Sequence, residues 1–303
     1  MAKGVAERIT SLAERARAID RRWIFLLVAL AIIIPFAFDL AFSEVATPEV
    51  KASYDLIESL PEGSTVLISF DFDPPSEPEL YPMAVSFVRH LALKKQKIFF
   101  IALWPMGQSE VVDVVNQVLK PEFPEYEYGK DYLMLGFKPG NQGVVQVIVS
   151  GFRGLYTTDA LGAPIDSFPM MADVRNLKDM DIILNISAGY PGTKEWIQFG
   201  ADPTGVPISA GMTAVQAPLI YPYYPRQLSG ILGGLKAAAE YESLLMKNYP
   251  DRYRDPAEFK GMKRMGPQTF AHLIIILFII IGNIAYFATR GAGPGPRVKS
   301  LEG

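Results

Sequence analysis

Cysteine is absent from this 303-residue chain, which excludes disulfides, thiolate nucleophiles and cysteine-ligated metals. Histidine is almost absent too: His90 falls in a predicted amphipathic helix and His272 inside a long apolar run. Neither is placed as an outward-facing base, so Ser-His-Asp and Cys-His mechanisms and histidine-ligated zinc are excluded. Charge of one sign is also missing, because 29 Lys and Arg against 32 Asp and Glu leave a formal charge of −3. No basic stretch interleaved with aromatics occurs in the middle region, which removes nucleic acid as a partner. There is no internal repeat, and the one biased tract is the Gly/Pro-rich 291–296, expected to be disordered.

What the chain has in abundance is apolar sequence in two blocks, residues 23–42 and 270–288. At about 1.5 Å of rise per residue, each can cross a hydrocarbon core about 30 Å thick, so both are predicted to be transmembrane helices flanking one α/β domain. The first run exceeds the apolar core of a removable signal peptide and is expected to be retained as an anchor. Lys3, Arg8, Arg15, Arg17, Arg21 and Arg22 precede it, and Glu44, Glu49, Asp55 and Glu58 follow. That asymmetry puts the N-terminus in the cytoplasm. An even number of spans returns the tail, with Arg290, Arg297 and Lys299, to the same side, although Lys260, Lys263 and Arg264 on the outer flank of the second run oppose this.

The expected layout in a plasma (inner) membrane has five parts. Residues 1–22 form a cytoplasmic basic amphipathic helix, 23–42 the first span, and 43–268 the extracytoplasmic domain. Residues 269–289 form the second span and 290–303 a cytoplasmic disordered tail. Val5, Ile9, Leu12, Ala16, Ile19 and Trp23 make a heptad seam, read either as a helix lying on the inner leaflet or as a short self-associating coil. His272, near the start of its span, is expected to snorkel to the interface.

Between the runs, short β-rich stretches alternate with helical ones. Strands are predicted over 65–73, 97–104, 132–137, 181–188 and 206–211, and helices over 77–96, 109–120, 142–155, 194–199 and 227–247. Ser76 and Glu79 have the spacing of a capping box at the start of the first of these helices. Such alternation implies a parallel sheet with right-handed crossovers. The fold class is therefore α/β, a Rossmann/flavodoxin-like sheet of about five strands with helices on both faces, expected in the order 2-1-3-4-5.

At the end of the first strand, Ser69, Asp71 and Asp73 share one face by the period of two. Asp71 and Asp73 are the candidate metal ligands, and Mg²⁺ or Ca²⁺ is the only cofactor they suggest. The tandem FDFD at 70–73 is similar to the opening aspartates of haloacid-dehalogenase-type phosphatases over these few residues only. Pro74 and Pro75 follow where that family has a loop ending in Thr or Val. Asp179 and Asp181 precede the fourth strand, where the family's paired acidic motif would follow it, so membership is rejected.

Two glycine turns line the same end of the sheet. Gly136, Gly140 and Gly143 surround Lys138 and Asn141, and Ser187, Tyr190 and Lys194 follow the fourth strand. Lys138, Asn141, Ser187 and Tyr190 are the candidate ligand-crevice residues, although the spacing matches no dinucleotide or P-loop fingerprint. Two longer connections, 157–171 and 214–226, are unusually apolar. Leu219, Ile220, Tyr221, Tyr223 and Tyr224 in the second are expected to be covered by their own domain, by another subunit or by the bilayer surface. In the predicted helix 227–247, Ser229, Gly233 and Ala237 form one row of small residues, and Gly230, Gly234 and Ala238 form another. The rows mark close backbone approach, either to the domain's own sheet or to another copy.

Contact surfaces thus outnumber chemical signatures. The leading expectation is a non-enzymatic membrane-anchored assembly or scaffold protein, a homo-oligomer or a member of a larger membrane complex. The alternatives are a cation-dependent hydrolase or transferase acting on an envelope substrate, and a ligand sensor without turnover.

Overall fold

A computed structural model of the chain describes residues 19–289. Residues 1–18 of the predicted basic helix and the tail from residue 290 lie outside the described residues. The chain divides into an α/β unit, residues 41–265, and a second unit made of the flanking segments.

In the flanking unit, one helix begins at Arg21 and ends at Ala37 (α1, 17 residues). It carries Pro35, and Asp39 just beyond it has a positive φ of 49°. Proline removes a helix hydrogen bond, and a left-handed non-glycine residue stops propagation, so the helix is shorter than the apolar run 23–42. Among the described residues one helix meets both the length and the hydropathy needed to cross a membrane, the 30-residue helix Lys260–Thr289.

The α/β unit alternates helix and strand as the periodicity implies. Its elements are α2 (Pro48–Glu58), β1 (Thr65–Asp71), α3 (Glu77–Leu93), β2 (Lys97–Ala102), α4 (Gly107–Val114, prolonged by the π-turn Val115–Leu119), β3 (Tyr132–Phe137) and α5 (Gln142–Ser150). After a long connection come β4 (Ile182–Ser187), the helical run 193–204 (α6), β5 (Ile208–Met212), β6 (Gly230–Gly233) and α7 (Gly234–Asn248), and the unit ends within the first residues of α8 (Lys260–Thr289), which continues into the flanking unit. Helix α2 carries Pro48 in its first turn and buries Val50, Tyr54 and Ile57 at helical spacing, a signal present in the sequence but not among the predicted elements.

All six strands are parallel in the order β3-β2-β1-β4-β5-β6. This corrects the expected order 2-1-3-4-5. Helices α3 and α4 both pack on one face, so β1, β2 and β3 step outward in one direction. The connection after β3 then carries the chain back to start β4 on the other side of β1. The two sides of each strand feed two cores. Val66, Ile68, Phe70 and Phe100 pack under α2, α3, α4 and α7, whereas Leu67, Phe99, Ile101 and Ile183 pack under α5 and α6. Near-continuous apolar strands are the mark of a sheet covered on both faces.

The sixth strand lies inside the segment predicted as helix 227–247, whose first part is thereby corrected. Ser229 N–H donates to the Ile208 carbonyl at 2.8 Å and extends the β5–β6 ladder. A Cβ on Gly230 would lie 2.5 Å from the Ser53 backbone of α2, and Gly234 has φ +73° in the turn into α7. The small residues therefore serve close packing inside the domain: Gly230, Gly234, Ala237 and Ala238 are buried, while Ser229 and Gly233 are half-buried. The expected capping box is not formed either. Ser76 Oγ donates to Asp73 at 3.1 Å, and Glu79 accepts from Ala214 N–H at 2.8 Å.

Candidate functional site

In a sheet of this order the direction of winding reverses between β1 and β4, and the carboxyl ends of those strands are where ligands bind. Period-two geometry sends Leu67, Ser69 and Asp71 of β1 to the α5/α6 face, as it does Ile183, Asn185 and Ser187 of β4. Strand pairing sets Ser69 beside Asn185 and Asp71 beside Ser187. These polar side chains are fully buried, so each needs an internal partner.

Asp71 is the hub. One carboxylate oxygen accepts from Ser69 Oγ at 2.7 Å and Leu103 N–H at 2.7 Å. The other accepts from Asn185 Nδ2 at 2.6 Å and Trp196 Nε1 at 3.0 Å. The network continues outward: Thr193 Oγ1 donates to Asn185 Oδ1 at 2.7 Å and lies 2.9 Å from Ser187 Oγ, and Gly192 N–H donates to Glu195 at 2.9 Å. Four donors from four separate segments occupy the lone pairs that a cation would need. Asp73 has a different neighbour, Ser76, and forms part of the loop before α3. Among the described residues no group of three or more histidine, aspartate or glutamate side chains converges as a metal set.

The other crevice residues are only partly gathered. Tyr190, 59% exposed, donates to Gln142 at the start of α5, beside Asn141. Lys138 instead sits 5.4 Å from the centre of the Tyr156 ring, and Ser187 is buried behind Thr193. A depression of about 230 Å³ opens beside Tyr190, lined also by Gly189, Lys194, Gln216 and Leu219. Gln216 and Trp104, whose indole donates to the Pro191 carbonyl at 2.8 Å, were not among the candidates. Neither lies in a recognisable motif; a Cβ on Gly189 would meet Trp104 at 3.4 Å and Gln216 at 3.6 Å, a proximity that only the tertiary fold sets. Of the apolar loop, Tyr223 and Tyr224 pack against the domain's own core, whereas Leu219 and Tyr221 remain exposed.

A second polar cluster lies at the opposite end of the sheet. Buried His90 is 2.6 Å from Tyr241 OH through Nδ1 and 2.9 Å from Glu58 through Nε2. Its hydrogen bond, joined by those of Tyr249 and Lys94, holds the Glu58 carboxyl down at about 2 against the opposing effect of burial. Burial in turn pushes His90 below the ordinary histidine range. This cluster joins α2, α3 and α7.

Three other carboxyls are displaced upward. Burial raises Asp71 to about 7 against the pull of its four donors, and raises Glu242 to about 7 against the Gly261 and Met262 N–H groups. Burial, with Glu77, Asp113 and Asp73 nearby, takes Glu110 to about 7. An acid whose folded value lies above its unfolded one binds more protons when folded, so stability falls as pH rises between the two values. Thermal unfolding of the full chain should therefore occur at a lower temperature at about pH 8 than at about pH 5.5, and Glu110→Gln should reduce the difference while Asp71 and Glu242 keep part of it. Glu58 acts oppositely: its stabilisation is present above the ordinary glutamate value of 4.5 and is lost as pH falls toward about 2. A midpoint that rises steadily from pH 5.5 to pH 8 would contradict this assignment.

No protein-family model matches the chain, and no curated protein matches it.

Proposed function

We propose that this chain is a non-enzymatic membrane-anchored assembly protein, in which α1 and α8 both cross the bilayer, the termini are cytoplasmic and the α/β domain lies outside. The observation that carries this reading is the closure of the Asp71 network. At the point where a doubly wound sheet presents reacting groups, the best-placed carboxylate is held by four internal donors. Exposed apolar side chains stand around it instead, Leu219 at 73% and Tyr190 at 59%. Surfaces of that kind favour contact, with lipid or with protein, over chemistry. A cation-dependent hydrolase would have to break the network to free Asp71, at the cost of several unpaired buried donors.

The partners this implies are further copies of the chain or another membrane protein. Extracted in mild detergent and analysed by native mass, the protein should appear as a multiple of the 33.5 kDa chain or in a larger complex; a single chain with bound detergent would remove the reading. The depression beside Tyr190 favours a second reading, ligand binding without turnover. That reading requires a ligand that raises the unfolding temperature and is recovered unchanged, with Gln216→Ala abolishing the shift.

A further inference from the structure

The two ends of the sheet differ in surface chemistry, and the chain joins its apolar helices at only one of them. Before α2, Glu44 N–H donates to Ser243 Oγ at 2.9 Å, and its carboxylate lies 3.8 Å from Lys236 in the first turn of α7. Helix α2 then runs alongside α7 toward the amino end, with Thr47 bonded to Glu240 at its start and Glu58 bonded to Tyr249 at its finish. On the other side, the approach to α8 climbs α3 in reverse. Arg89, in the second half of α3, meets the Glu258 carbonyl at 3.5 Å, whereas Arg264 meets the Pro78 carbonyl in the first turn at 2.8 Å. Because α3 follows β1 and α7 follows β6, both connections leave at the carboxyl end of the sheet.

That end is also the apolar one. Val215 is 85% exposed, and Leu219, Tyr190, Met106 and Tyr221 stand uncovered on the loops that follow β2, β4 and β5. The amino end shows charge instead: Glu62 pairs with Lys95, and Glu127 with Lys130, all well exposed.

We infer that the carboxyl-end loops form a lipid-facing surface, with Val215, Leu219 and Tyr190 resting in the headgroup region of the bilayer that α8 enters. Apolar side chains flanked by tyrosines suit that layer, where one end of a side chain is dry and the other wet. The inference rests on the membrane anchoring proposed above but not on self-association.

Since the chain has no cysteine, single-cysteine variants can be labelled at one site. Val215→Cys, Leu219→Cys, Lys95→Cys and Leu277→Cys would each carry an environment-sensitive fluorophore. The full chain would be reconstituted in phosphatidylcholine vesicles with or without a nitroxide-bearing lipid. Quenching by the nitroxide should be several-fold stronger at 215 and 219 than at 95, and strong at 277 within α8. Quenching at 277 with none at 215 and 219 overturns the lipid-facing surface while leaving the anchor standing. Absence of quenching at 277 removes the anchor and this inference with it. Labels at 215 and 219 shielded from both nitroxide lipid and aqueous iodide would mean that a protein covers the loops, and would also overturn it.

Discussion

Asp71→Asn should destabilise the domain by about 1–3 kcal/mol, because a single buried carboxylate accepts from four donors, the better amide orientation still strands one of them, and a buried donor left unpaired costs about 1–3 kcal/mol. An asparagine keeps the shape but offers one oxygen. Its NH₂ must then face either Ser69 and Leu103 or Asn185 and Trp196. In the first orientation the Ser69 hydroxyl can turn to accept, yet the Leu103 N–H is stranded. In the second, Asn185 can flip to accept, but Thr193 then loses the oxygen it bonds at 2.7 Å, and the Trp196 indole has no acceptor. No rearrangement satisfies all the members of the network. Denaturant unfolding of the full chain in detergent at about pH 8, followed by tryptophan fluorescence, measures the loss. Asp73→Asn is the control: Asp73 is half-buried and, among the described residues, its side chain accepts only from the Ser76 hydroxyl, so the change should stay within about 0.5 kcal/mol. Equal and small effects at both positions would mean that the Asp71 network does not hold the sheet's centre together.

Gly230→Ala should cost about 1–3 kcal/mol, the ordinary penalty for overpacking a close contact. The added methyl would sit 2.5 Å from Ser53 N and Cα, backbone atoms that cannot turn aside as a flexible side chain can. The strain would fall where α2 crosses β6, beside the buried pair Ser53 Oγ and Ser209 Oγ at 2.6 Å. Gly143→Ala is the counterpart: it lies within α5 with no atom within 4 Å of the new methyl. There the substitution should be neutral or stabilising by up to about 1 kcal/mol, since alanine is the better helix former. If Gly230 instead faced a second copy of the chain, Gly230→Ala would lower the native mass without lowering the unfolding free energy of the domain. Unfolding curves and native mass on the same sample separate the two outcomes.

Both results depend on partners that are distant in sequence, and this divides what was legible from what was not. The strand Tyr132–Phe137 stands where the β-rich run predicts it, and β1, β2, β4 and β5 differ from their predicted ranges by a few residues at their ends. These elements declare themselves through apolar, β-branched runs bounded by turn residues. The stretch 227–247 misled because small residues at i and i+4 satisfy a helix pattern as well as a tight strand followed by a turn. Only the ladder to β5 and the approach of Ser53 distinguish them. The tyrosines of 221–224 were similarly ambiguous, since composition does not say that Tyr223 and Tyr224 lie on their own core while Tyr221 stays exposed.

By itself, the order of residues determined the class of the domain, the parallel sense of its strands, the face that Ser69 and Asp71 share, and the apolar character of the flanking segments. Each of these follows from periodicity or composition within some twenty neighbouring positions. Tertiary structure alone decided that β3 lies outside β2, that a sixth strand extends the sheet and that Asp71 is enclosed by donors from residues 69, 103, 185 and 196. Those outcomes depend on which crossover covers which face and on atoms brought together from far along the chain, and no local period encodes either.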